Sequence, residues 1–294
     1  MENATLATSG ASAMAQFEAL QQKLIPQFER DFPNPLAGKT VIIVPSQSLD
    51  PEILAKIKGI IYYEERMLCL LLLLRMPRTR IIYLSSMPID EVIIDYYLHL
   101  LPGVTARHAR KRLTLLSCFD ASNRSLTQKV LERPRLIEQI RQNIPPSHVA
   151  HLTGFNITFL EHELALRLGV PLYGCPATLS YWGTKSGSRH IFRQTGLPMP
   201  PGYENLANMA EVLKALQELK KEFPRLRKAV VKLNDGFSGE GNAVFSYENA
   251  GAAVDESSLR QHLKIVAKDL HYDVFAEKMA AMGGIVEEIG RAHV

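Results

Sequence analysis

Cysteine is scarce. Cys69, Cys118 and Cys175 stand apart, with no CxxC-type pair among them. That excludes a thiolate zinc ribbon and a disulfide-stapled mini-fold, and it fits free thiols in a reducing compartment. Long apolar runs are also missing. The most apolar stretch, Met67 to Leu74, is closed by Arg66 and Arg75, far short of the roughly 20 residues that span a bilayer. Met1 to Ala15 is small and polar, without a basic region leading into an apolar core. No secretory signal is read there, and a cytoplasmic location is expected. Charge of one sign is not in excess either: 34 basic against 30 acidic residues give +4, so composition offers no case for nucleic acid. Common catalytic signatures fail in detail. Glu161-His162-Glu163 lacks the second histidine of a zinc protease, because Leu166 stands in its place. Gly38-Lys39-Thr40 has the tail of a phosphate loop, but Pro33 replaces its first glycine and the motif precedes its strand.

What remains is an ordinary globular composition. The 294 residues are 46% hydrophobic and 22% charged, enough for a real core and about two domains. The first half alternates two kinds of segment. Val41–Val44, Ile81–Leu84, Leu113–Leu116, Val149–Leu152 and Val170–Tyr173 are short apolar runs of the kind buried on both faces of a sheet. Between them lie helical stretches: Tyr63–Arg75, Asp90–Leu101, Leu126–Asn143 broken at Pro134, and Phe159–Leu168 stopped by Gly169. This order predicts a mostly parallel sheet covered on both faces. Ligands of such sheets bind beyond the carboxyl ends of the strands. Ser46-Gln47-Ser48, Ser85-Ser86 and Thr153-Gly154-Phe155-Asn156 fall there, either as ligand contacts or as plain turn and cap residues.

After Cys175-Pro176 the pattern changes. A short helix is expected from Ser186-Gly187-Ser188 through Gln194, and a strongly amphipathic one over Leu206–Glu222. Ala229–Leu233 and Ala243–Tyr247 read as strands, and a third strand is expected over Asp273–Met279 after a helix near Glu256–Asp269. The glycine-rich run Asn234–Asn242 joins two strands, so it is a hairpin flap and not the strand-to-helix turn of a dinucleotide fold. Glycines let backbone N–H groups line an anion, and Lys232 sits just upstream as a point charge for phosphate. An ordinary hairpin with a solvent lysine has the same local sequence.

Four features occur in a fixed order: Lys185 before a helix, Gly196-Leu197-Pro198-Met199-Pro200, Lys232 with its flap, and Glu277-Lys278-Met279. The set resembles the ATP-grasp superfamily of ATP-dependent carboxylate–amine ligases. Lys185–Arg189, Pro200-Pro201-Gly202 and Lys232–Ala243, with Tyr63–Arg80 and Phe155-Asn156, look like its peptide-ligase branch, the one that includes the pheganomycin ligase. The implied fold is an α/β chain. Residues 1–36 form a helical or flexible N-terminal segment, and residues 37–178 a Rossmann-like pre-ATP-grasp domain with a mostly parallel sheet. Residues 179–288 form an incomplete α+β ATP-grasp domain.

The resemblance also implies roles. Lys185 and Lys232 would contact the α and β phosphates of ATP, with Gly236, Ser238, Gly239 and Gly241 forming the flap over them. Glu277, Lys278 and Met279 would frame adenine from a strand. The substrates would be a small-molecule or peptide carboxylate and an amine, joined through an acyl phosphate, with Mg²⁺ as cofactor. The family's Mg²⁺ ligands lie well downstream of such a strand, so they and the catalytic residues are expected beyond Val294, and this fragment would be inactive alone. The segment 289–294 reads like the in-frame translation of a common sequencing adapter and is expected to be non-native. The competing reading is a nucleotide-binding regulatory or interaction protein with the same architecture.

Overall fold

A computed structural model describes residues 2–48, 54, 58–235, 241–250, 254–267 and 270–289. The chain divides into two compact units, residues 1–177 and 178–294.

The first unit is built on a five-stranded parallel sheet. Its strands are β1 (Lys39–Val44), β2 (Thr79–Ser85), β3 (Leu113–Ser117), β4 (Val149–Gly154) and β5 (Leu172–Tyr173), in the spatial order β3-β2-β1-β4-β5. Val41 pairs with Ile81 on one side and His151 on the other, and Ile81 with Leu113. The apolar runs are continuous because both faces are covered. Val41, Ile43, Ile81 and Tyr83 pack with Leu68, Leu71, Leu74, Ile94 and Leu98. Ile42, Val44, Ile82, Leu84 and Leu152 pack on the other face with Val130, Ile137, Ile140 and Leu164. Fully burying each such side chain contributes about 1.5–3 kcal/mol, so these two layers hold the unit together.

Local signals set the element ends. Pro134 starts a second helix, dividing Leu126–Leu131 from Pro134–Gln142. Thr158 and Glu161 make a capping box for Phe159–Leu168, and Gly169 closes that helix at φ 71°. The helix expected over Tyr63–Arg75 is instead a 3₁₀ helix, Ile60–Arg75. Side chains three apart eclipse in that geometry, and Leu68, Leu71 and Leu74 are its buried row. Phe17 and Leu20 of the N-terminal helix Glu2–Gln21 enter the core with the Phe159–Leu168 layer.

The second unit carries a five-stranded antiparallel sheet. Its strands are β6 (Gly202–Leu206), β7 (Lys228–Leu233), β8 (Asn242–Ser246), β9 (Leu263–Ile265) and β10 (Gly284–Glu288), in the order β6-β10-β7-β8-β9. Helices Met209–Glu222 and Tyr272–Met282 cover one face through Val212, Leu216, Leu219, Phe275 and Met279. Leu206 lies in β6, and Asn208 caps the following helix by accepting from Glu211 N. The helix near Glu256 stops at His262, and β9 follows.

The strand expected over Asp273–Met279 is corrected: this segment is part of the helix Tyr272–Met282. Strand alternation would put Phe275, Glu277 and Met279 on one face, burying a carboxylate with two large apolar groups. The helical turn instead buries Phe275 and Met279, four apart, while Glu277 stays exposed.

One titration follows from the first unit. His151 lies among Phe28, Phe32 and Tyr173, where burial lowers its pKa from 6.5 to about 4. In that window the unfolded chain binds the extra proton, so stability falls as pH drops below 6.5 and is unaffected above it. At pH 5 the loss is about 2 kcal/mol. Urea unfolding of His151→Phe at pH 7 and pH 5 is expected to show a drop smaller by that amount than the wild type; equal drops would contradict the assignment.

Candidate functional site

The lysines of the second unit meet at one end of β7. Ala229, Val231 and Leu233 point into the helix-covered core, so alternation puts Lys232 on the opposite face. Lys232 stands opposite Ile285 of β10, and Glu287, two residues on, shares that face. The Lys232 Nζ donates to Glu287 Oε1. The other Glu287 oxygen accepts from Arg189 at 3.0 Å. Arg189 also donates to Glu204 Oε2 at 3.2 Å and to the Pro200 carbonyl at 2.9 Å, and Arg193 donates to Glu204 Oε1. The charges therefore alternate along Lys232, Glu287, Arg189, Glu204 and Arg193. Arg189 and Glu287 are buried, and a guanidinium fork is the side chain able to serve two carboxylates and a carbonyl at once. Burial works to raise the Glu204 pKa, but hydrogen bonds from Arg193 and Arg189 prevail and hold it below the usual range.

Lys185 arrives from another element. Helix Lys185–Gln194 is capped by Thr184, whose hydroxyl accepts from Gly187 N at 3.0 Å. Lys185 Nζ donates to the carbonyls of Leu233 at 2.7 Å and Asn234 at 3.3 Å. Asn234 ties the corner: Oδ1 accepts from Ser186 N, Nδ2 donates to the Met282 carbonyl, and the backbone N donates to the Gly283 carbonyl, each at 3.0 Å. Gly283 makes this turn at φ 70°, a region that favours glycine. Burial lowers the Lys185 pKa; Asp235 opposes this and the Lys232 charge reinforces it. The two ammonium groups thus share one local field.

The other expected site residues are placed as follows. Gly241 opens β8, its carbonyl accepting from Leu233 N at 2.9 Å. Gly236, Ser238 and Gly239 lie outside the described residues. Glu277 and Lys278 lie on the helix Tyr272–Met282, and Met279 is part of the core on the sheet face opposite Lys232. The glutamate beside Lys232 is Glu287, which the sequence reading left without a role, as it did Arg189, Glu204 and Asn234. A signal for two of them was present: Arg189 is four residues after Lys185 on one helix, and Asn234 two after Lys232.

The strand ends of the first unit behave differently. Ser86 donates from its backbone N at 2.5 Å and its Oγ at 2.6 Å to Glu64, whose pKa is raised by burial. Lys129 Nζ donates to Ser86 Oγ and to the carbonyls of Asp120 and Ser122. Ser48 Oγ donates to Glu161, and Thr127 N to Ser46 Oγ. These groups find partners inside the protein, as turn and cap residues do. Among the described residues, no group of three or more His, Cys, Asp or Glu side chains is placed to hold a metal. None of their helices is long and apolar enough to cross a membrane.

Residues 176–288 match a family model described as IQCH-like, ATP-grasp. The chain is 29% identical over 258 residues to an L-propargylglycine–L-glutamate ligase of Streptantibioticus cattleyicolor, covering 85% of this chain and 52% of that protein. It is 25% identical over 223 residues to IQ motif-containing protein H of Danio rerio, covering 70% of this chain and 21% of that protein. The chain thus spans about half the length of one relative and about a fifth of the other. The ATP-grasp resemblance read from the sequence stands, and so does its fold class: a parallel α/β sheet followed by an ATP-grasp-like antiparallel sheet.

The charge chain can be tested alone. Arg189→Met keeps an unbranched stem but removes the guanidinium, leaving buried Glu287 and part-buried Glu204 without a shared cation. Urea unfolding is expected to show a loss of about 3–5 kcal/mol, whereas Lys221→Met on the exposed face of helix Met209–Glu222 should change stability by less than about 0.5 kcal/mol.

Proposed function

We propose that this chain carries the nucleotide-binding part of an ATP-dependent carboxylate–amine ligase. The observation that carries the reading is the meeting of Lys185 and Lys232 at one end of β7, next to the Asn234–Asn242 hairpin. Two ammonium groups from different elements, each hydrogen-bonded but only part-buried, suit a polyphosphate. Lys232 would exchange Glu287 for phosphate, and Lys185 would turn from backbone carbonyls toward it. Gly236, Ser238, Gly239 and Gly241 would offer backbone N–H groups above. Glu277, Lys278 and Met279 would frame adenine from the helix Tyr272–Met282 and not from a strand.

ATP would supply the phosphoryl group that converts a carboxylate to an acyl phosphate, from which an amine displaces phosphate. In such chemistry the protein acts chiefly by positioning and charge neutralisation. This chain's share is the placement of two cations. Mg²⁺ belongs to the reading through the family alone. The described residues provide no ligand set for it, and no step is assigned to it here. The relative named for L-propargylglycine and L-glutamate supports small amino-acid substrates in this reading.

A second reading has its own support: the matched family is described as IQCH-like, and one relative is an IQ motif-containing protein. In that reading the site binds nucleotide without ligation. The two diverge in a longer form of the protein, where ligation requires phosphate release that depends on both a carboxylate and an amine.

Nucleotide binding itself is testable on this chain. Thermal unfolding with ATP and Mg²⁺ is expected to shift upward, because a ligand of the folded state adds about 2.7 kcal/mol at a hundredfold excess over Kd. Lys232→Ala and Lys185→Ala should abolish the shift, while Lys221→Ala should keep it. No shift in the wild type, or an equal shift in all three variants, would refute the site.

A further inference from the structure

Charge in the first unit is sorted along the chain. Neither the stretch from Arg66 to Ile89 nor the stretch from Tyr96 to Phe119 contains an aspartate or glutamate. The first holds Arg75, Arg78 and Arg80, and the second Arg107, Arg110, Lys111 and Arg112. The fold joins them at the amino-terminal end of the parallel sheet. Arg112, just ahead of β3, donates to the carbonyls of Leu74 at 2.6 Å, Met76 at 2.7 Å and Thr79 at 2.9 Å. It staples the turn between the 3₁₀ segment and β2 onto the end of helix Ala106–Arg110. Two basic loops become one strip.

The cations of this strip lack anions. Arg75, Arg78, Arg80, Arg107 and Lys111 are exposed. Among the described residues no carboxylate pairs with any of them, whereas Arg110 is taken up by Glu91 at 2.8 Å. The like charges feel one another: burial lowers the Arg112 pKa and the Arg80 charge lowers it further. Unopposed charges of one sign repel and weaken the folded state, and an anion relieves them. The strip also borders an apolar groove of about 580 Å³. Leu70, Leu72, Leu73, Met76, Pro102 and Val104 line it, with Arg75 in its wall and no carboxylate or aromatic ring among its lining residues. Leu72 is 51% exposed.

We propose that this groove and its basic strip form a docking site for an acidic amphipathic helix of another protein. Helix-in-groove recognition lays apolar residues at i, i+3, i+4 and i+7 into a hydrophobic groove. The aliphatic walls receive that stripe, and the carboxylates flanking it meet Arg75, Arg78 and Lys111 on the rim. Guanidinium groups pair with carboxylates bidentately, so the rim selects an acidic partner and speeds its approach. A single strand of nucleic acid would call for aromatic rings on which bases stack, and the groove has none. A lipid surface takes up protruding apolar groups, and these walls are recessed.

Fluorescence anisotropy with the 294-residue chain tests this. The probe is a fluorescein-labelled, stapled helical peptide with leucine at the i, i+3, i+4 and i+7 positions and glutamate elsewhere. Saturable binding is expected, at least tenfold weaker when lysine replaces the glutamates or serine replaces the leucines. Arg75→Glu, Arg78→Glu and Leu72→Glu should each weaken binding at least tenfold with unchanged unfolding midpoints, since all three side chains are exposed. Lys221→Glu, in the second unit, should leave binding as it is. A wild type that does not bind the acidic peptide would overturn the proposal, as would equal binding of the lysine or serine peptide or of the three variants. Tighter binding of polyuridylate or of phosphatidylserine vesicles, lost in the same variants, would give the strip to nucleic acid or to a membrane instead. A wild type that sediments as a dimer and becomes a monomer in Leu72→Glu would give the groove to a second copy, and this too would overturn the proposal.

Discussion

Everything at the candidate site follows from the alternation of one strand. β7 has to give one face to the helices, and Ala229, Val231 and Leu233 do so. That leaves Lys232 on the other face, near the end of the strand and only slightly open to water. A cation so placed needs an anion, because desolvating it without one costs several kcal/mol. Glu287 is that anion. Glu287 is itself buried and exceeds what a single lysine can satisfy, so Arg189 is required, and Arg189 in turn draws in Glu204 and Arg193. The side chains of helix Lys185–Gln194 and strands β6 and β10 are thus fixed in relation to each other by the desolvation of a single ammonium group.

Such a chain resolves a conflict between holding a cation and offering it. A lysine with no partner would distort the fold, and one buried in a perfect pair would not leave it. Lys232 has a partner that keeps a second cation. Were phosphate to take Lys232, Glu287 would still have Arg189, so the exchange would swap one anion for another and strand no buried charge. Lys185 is held in part by neutral acceptors. It holds backbone carbonyls at the end of β7, and the nearby Lys232 charge lowers its pKa further. A polyanion relieves that mutual repulsion, which is why two lysines at one strand end favour a phosphate chain more than either would alone.

Legibility in the sequence followed the strength of local signals. The parallel strands were readable because burial on both faces makes Val41–Val44 or Ile81–Leu84 uniformly apolar, and Pro134 and Gly169 marked helix ends through backbone chemistry. Lys185 and Lys232 were readable as an ordered pair with a flap. Their shared corner was not, because Asn234 joins three segments far apart in sequence. The segment Asp273–Met279 misled because Val274-Phe275-Ala276 looks like a strand over a short window, and only the four-residue spacing of Phe275 and Met279 reveals the helix. Glu287 escaped for a related reason. A glutamate in a run of Ile285 and Val286 looks like a solvent-facing strand residue until the antiparallel register with β7 sets it beside Lys232. The 3₁₀ geometry of Ile60–Arg75 is equally invisible in a run of leucines that satisfies either period.

The two units show opposite uses of polar groups at strand ends. In the parallel sheet the crossover helices return over the carboxyl ends, and buried polar groups there are enclosed. Glu64, Ser86 and Lys129 find partners in each other and in nearby carbonyls, and their hydrogen bonds fix loops. In the antiparallel sheet the end of β7 is met by the first turn of helix Lys185–Gln194 and the last residue of helix Tyr272–Met282. The polar groups there lie at the border of the helix-covered core, and both lysines are only part-buried. A charge at such a border is desolvated enough to need a partner and open enough to change it. The same residue type, lysine, is therefore a structural clamp at Lys129, fully buried on a helix, and a candidate ligand contact at Lys232, part-buried near a strand end, and the depth of burial is what separates the two.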